Sequence, residues 1–78
     1  MKWDKAINKI REVIEGRSDE GFFVEIEYHR THITNQRNFG VVDNLVEYDY
    51  KGQKEIAINV SGESLVRGAF IIDNIEIL

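Results

Sequence analysis

The sequence predicts an α+β, mostly β domain: one N-terminal amphipathic helix, then a five-stranded, strongly bent antiparallel sheet or small barrel. Two observations carry this. Apolar residues recur at three- and four-residue spacing only in the first fifteen positions, whereas later runs alternate residue by residue. Glycine-containing turns also punctuate the alternating runs at short intervals, which leaves no room for a second long helix.

The helix is expected over residues 3 to 15. Trp3, Ile7, Ile10 and Ile14 form the stripe with Ala6 and Val13 beside it, while Lys5, Asn8, Lys9, Glu12 and Glu15 lie away from it. Gly16 suits a left-handed residue just past the helix end, and "GRSDEG" to Gly21 reads as a polar connector. A lone amphipathic helix needs a surface to pack on, so the stripe is expected to lie on the sheet of residues 22 to 78, making one domain of residues 1 to 78.

From residue 22 to residue 30 the chain alternates, with Phe22, Val24, Ile26 and Tyr28 on one face and Glu25, Glu27 and His29 on the other. Phe23 breaks the alternation, as a cover for the helix or an edge. A second strand starts near Asn38 or Phe39 after a turn around "TNQRN" and runs through "FGVVDNLVEYDY", with Gly40 or Asp43-Asn44 marking a bend. Val46, Tyr48 and Tyr50 alternate there with Glu47 and Asp49. Lys51-Gly52 then signals a hairpin into "KEIAINV", where Ile56, Ile58 and Val60 alternate. "SGES" breaks the sheet, "LVRGAF" is a helical turn or a short strand, and "IIDNIEIL" closes as a strand.

Composition narrows the function classes. Seventy-eight residues with 42% hydrophobic and 31% charged side chains make an ordinary globular domain, not a disordered segment. Such a short chain buries only about 60% of its unfolded surface, so its core must be economical. The net charge of −4 argues against broad duplex binding, which depends on many clustered cations. The chain has no cysteine, hence no disulfide or thiolate zinc site, which suits a cytoplasmic location. The first ten residues lack the apolar run of a signal peptide, and no stretch approaches membrane-spanning length.

The residues that could carry chemistry are few. His29 and His32 are three apart, which places them on opposite faces of a strand, and no further ligand sits at a recognisable spacing, so neither a metal nor a cofactor is expected. Ser61 and Ser64 fit turn formation better than nucleophilic catalysis, and no base is placed beside them, so an enzyme is not expected.

Between Tyr28 and Val42 there is no Asp or Glu. Arg30 and His32 would share one strand face there, and Arg37, beyond the turn, could reach the same side. Two guanidiniums and an imidazole can grip a phosphate, a base edge or an acidic loop, with Tyr28, Phe39, Tyr48 and Tyr50 offering rings for stacking. The plainer alternative is a hairpin whose arginines pair with glutamates across strands and whose rings are core. A second candidate surface is acidic: Glu25, Glu27, Glu47 and Asp49 on strand faces that meet water either protect an edge or engage a basic partner protein. Either surface is compatible with a homo-oligomer that buries a sheet edge.

The stretch "RGAFIIDNIEIL" resembles the closing strand of WYL-type domains, with Arg67, Phe70, Ile72, Asp73 and Ile75 in that family's order, and Tyr28 in "VEIEYHR" resembles the tyrosine that ends its first strand. The Trp-Tyr-Leu of the family name is replaced by "KEIAI". "VRGAFI" also resembles the Arg-Gly step of the second Sm motif. The resemblance implies a helix before a small Sm-like or SH3-like barrel, and a regulatory module that binds a ligand, nucleotide or single-stranded nucleic acid rather than a catalyst. It also implies that Arg67 joins Arg30 and Arg37 near one rim, so that the candidate ligand site comprises Arg30, His32, Arg37 and Arg67 with Tyr28.

Overall fold

A computed structural model of the protein describes residues 1–16 and 23–78. One helix, α1 (Trp3–Gly16), precedes five strands: β1 (Val24–Arg30), β2 (Asn38–Tyr50), β3 (Gln53–Val60), β4 (Glu63–Leu65) and β5 (Phe70–Ile77). Every ladder is antiparallel, and the strand order is β4-β3-β2-β1-β5. The expected α+β, mostly β architecture is therefore the observed one. The barrel alternative is not: no ladder joins β4 to β5 among the described residues, so the sheet stays open.

The helix packs as its stripe requires. Ala6, Ile7 and Ile10 are buried, and Trp3, Val13 and Ile14 flank them against Val24, Ile26, Val42, Ile58, Val60, Leu65, Ile72 and Ile75 of the sheet. Gly16 departs from expectation, because it is the last helical residue and does not adopt positive φ. The connector after it, with Gly21 and Phe22, lies outside the described residues.

Two turns set the β2-β3-β4 meander. Lys51 and Gly52 both have positive φ (51° and 80°), as a two-residue type I′ loop demands, and so do Ser61 and Gly62 (50° and 83°). The second turn corrects the reading of "SGES" as a sheet breaker. Ser61-Gly62 continues the sheet into β4, where Leu65 is fully buried opposite Ile58. The segment after Leu65 is a turn, with Gly68 at φ 86°, rather than further strand.

Two register shifts re-aim side chains. In β2, Val42 pairs with Val60 but Asn44 with Asn59, so Asp43 is an extra residue. Beyond it Leu45 packs on the core, whereas Val46 and Tyr50 are exposed and Tyr48 is half-buried. In β5, Glu27 pairs with Asn74 and Tyr28 with Ile72, so Asp73 is extra, and the core positions step from Phe70 and Ile72 to Ile75. Gly40, one of the two bends expected in β2, is needed for close approach: a Cβ there would overlap Val60 Cγ1 and touch the Tyr28 ring.

Candidate functional site

β1 carries the opening candidates, and its strand pattern separates them. Tyr28 points to the core side, packed edge-on against Phe70 with ring centroids 5.9 Å apart and planes at 65°. Arg30 is the last residue of β1, and its guanidinium lies 4.8 Å from the Phe70 ring centroid while donating to Glu63 Oε1 at 3.1 Å. With Ile33, Gln36 and Asn38 these side chains line a cleft of about 200 Å³. One wall is aromatic, and the rest offers a guanidinium, two carboxamides, a carboxylate and a phenol.

The phenol of Tyr28 is held neutral. Burial, and then the nearby Glu63 carboxylate, raise its pKa above the ordinary value, with Arg30 pulling the other way. Within the cleft Tyr28 is therefore a hydroxyl donor and acceptor at any physiological pH.

His32 is placed differently from expectation. β1 ends at Arg30, so His32 belongs to the turn and shares no strand face with it; it is exposed and makes no ion pair among the described residues. The two histidines are also unlike each other in burial, because His29 is 6% exposed.

His29 and Arg37 build a second cluster, on the sheet face opposite the helix. His29 Nδ1 lies 2.7 Å from Asp73 Oδ2 and also contacts Arg37 Nη1. This nitrogen serves one partner at a time: protonated it donates to Asp73, and bare it accepts from Arg37. Arg37 Nη1 also donates to both Asp73 oxygens at 3.1 Å, and its Nε stands 3.9 Å from Glu27. Asp73 follows the core-facing Ile72 and so lies on the His29 face, a partnership that sequence spacing did not signal. Among the described residues no group of three or more His, Cys, Asp or Glu side chains is arranged to hold a metal ion.

Arg67 occupies a third location. It contacts Asp4 of α1 and donates through Nε to Glu55 of β3 at 3.2 Å, which ties the helix to the sheet. The Asp4 hydrogen bond foremost, and Glu55 after it, raise its already high pKa. It lines a cleft of about 330 Å³ together with Trp3, Arg11 and Lys54, and that cleft shares no residue with the one at Arg30. The four expected cations thus do not converge on one rim. The acid-free window is acid-free in sequence only, since Glu63 and Asp73 reach it from 33 and 36 residues away.

The acidic candidates also divide. Glu25 and Glu27 lie on the face of β1 that carries His29, and both are half-buried. Glu47 is opposite Ile56 and lines a hollow with Arg11 and Ile14 of the helix, while Asp49 pairs with Lys54 at 3.6 Å. These four carboxylates do not form one patch. No described helix is long and apolar enough to cross a membrane.

Comparison with known proteins supplies no neighbour: no family model matches the chain, and no curated protein or solved structure is significantly similar to it.

Proposed function

We propose that the protein is a small, non-enzymatic regulatory module of the cytoplasm that binds a nucleotide, single-stranded nucleic acid or other anionic ligand at the Arg30 cleft. The observation that carries this reading is the convergence of Arg30, Tyr28, Gln36, Asn38 and Glu63 around the Phe70 ring. A bare phosphate would have to displace Glu63 from Arg30. A nucleobase edge offers donors and acceptors together, so it can use the two carboxamides and Glu63 while its phosphate reaches Arg30 or the exposed His32. The likeness of the closing strand to WYL-type domains supports the same class of activity.

Anisotropy of labelled oligouridylate and oligothymidylate, with nucleoside monophosphates as competitors, tests the reading at low and high salt. The expected result is binding that weakens with salt and is lost by Arg30→Ala combined with Gln36→Ala. Binding that ignores both substitutions, or none at low salt, sinks it. The acidic-surface reading, engagement of a basic partner protein, is favoured by one observation only: Glu25 stands opposite Glu76 on the ladder beside the sheet's long free edge.

A further inference from the structure

The two edges of the sheet are protected very differently. β4 is three residues long and ends in a turn, which gives a neighbouring chain little to pair with. β5 is eight residues long and, past the isolated Arg67–Phe70 bridge at its start, has no neighbouring strand on its outer side among the described residues. Its sequence, FIIDNIEI, contains no Lys, Arg or Pro, so what guards this edge is the bulge at Asp73 and the Asp73 and Glu76 carboxylates, which deter an acidic strand but not a basic one. Ile71, Ile77 and Leu78 are exposed along it, and the Leu78 amide donates to the Phe23 carbonyl at 2.8 Å, extending the β1–β5 ladder.

The side chains flanking this edge select what could pair with it. On the face opposite the helix, Glu76 stands across from Glu25. Like charges directly opposite on a ladder are unfavourable, and neither glutamate has an ion-pair partner among the described residues. On the helix face, Ile77 borders a mainly apolar groove of about 240 Å³ with Val13, Gly16 and Glu12. A strand added outside β5 would place alternate side chains beside Glu76 and beside this groove.

We propose that the free edge of β5 is a docking site for an extended, basic segment of a partner protein, added as a sixth strand with a Lys or Arg over Glu76 and Glu25 and an apolar side chain in the Val13–Ile77 groove. A second copy of this chain fits poorly, because pairing two β5 edges sets the Asp73 and Glu76 carboxylates of two acidic molecules alongside one another with no base on either strand. Nucleic acid is repelled by the same glutamates. The site is separate from the Arg30 cleft, so each stands or falls alone.

The probe is a blocked peptide of alternating Lys and Val, compared with a Glu and Val peptide and with a Lys and Val peptide N-methylated at alternate amides. The Lys and Val peptide is expected to bind and to slow hydrogen exchange at β5 amides. Its affinity should fall at least about fivefold in the E25K/E76K double variant, the sum of two lost cross-strand attractions. Arg30→Ala should leave it unchanged. Circular dichroism and thermal melting confirm that the double variant folds; if it does not, Glu76→Gln with a salt titration reads the same attraction. Equal binding of the N-methylated Lys and Val peptide overturns strand addition. Affinity indifferent to charge overturns the basic partner, and so does sedimentation of the free protein as a dimer with β5 amides protected.

Discussion

Arg30 and Arg67 are the same residue type, each at the end of a strand region and each paired with acid, yet they do different work. Arg67 spans two elements, contacting Asp4 on α1 and Glu55 on β3, so its valence is used up in holding the helix against the sheet. Arg30 has a single carboxylate partner among the described residues, lies over an aromatic ring, and keeps more than half of its side chain exposed beside the carboxamides of Gln36 and Asn38. The number and origin of an arginine's partners, rather than its place in a basic run, decide whether it remains available to a ligand.

The strongest way to break this contrast is to loosen the helix. Ile10 is fully buried, and Ile10→Ala should cost about 2–5 kcal/mol. Denaturant melts give the magnitude, and hydrogen exchange should show α1 opening while the β1 and β2 amides near Arg30 stay protected. Uniform loss of protection would mean that the two regions are one cooperative unit.

Gly40→Ala attacks the other side. The new methyl group would overlap Val60 Cγ1 and only touch the Tyr28 ring, so Val60 must shift beside the Arg30 cleft, at a cost of roughly 1–3 kcal/mol and without touching the Asp4–Arg67–Glu55 bridge. Chemical shifts of Phe70 and Gln36 should move, and those of Glu55 should not.

Alkali sharpens the comparison more gently. The folded-state pKa of Tyr28 is raised, so the protein is stabilised by its neutral phenol below the ordinary tyrosine pKa of about 10 and loses that contribution as pH rises through the higher folded value. Wild-type stability should therefore fall more steeply above pH ~10 than that of Tyr28→Phe. Parallel curves for the two proteins would show that the phenol is not held back by the fold.

The smallest effect is expected from Arg67→Ala. Its bridge is solvent-exposed, so the melting temperature should drop slightly and the drop should shrink in salt, with ligand binding at the Arg30 cleft unaffected. A loss of binding equal to that of Arg30→Ala would reunite the two arginines in one site.

Much of this was legible in the residues. The helix followed from the Trp3-to-Ile14 stripe, and the β2–β3 hairpin from Lys51-Gly52, because both signals are local and set by backbone sterics. Ser61-Gly62 carries the same turn chemistry but precedes only three strand residues, too few to show alternation. The bend at Asp43-Asn44 was legible from its turn residues and coincides with the register shift in β2, whereas the bulge at Asp73 was not, since an extra residue is defined only against a partner strand. Nor were the phase of Val46, Tyr48 and Tyr50 or the meeting of His29 with Asp73. The basic window was misjudged for a related reason: charge neutrality is a property of space, and the ladder with β5 and the packing of β4 bring in carboxylates that the window's own sequence lacks.

The strand order also has a kinetic side. β2, β3 and β4 are joined by two-residue turns, so their pairings require almost no chain closure, whereas β5 meets β1 only by bringing Ile77 back to Val24 across most of the polypeptide. Closing that loop is entropically the most demanding step, so the meander is expected to form first and β5 to dock last. Until it docks, β1 offers its own unpaired edge, and any extended segment able to dwell there competes with the chain's final strand.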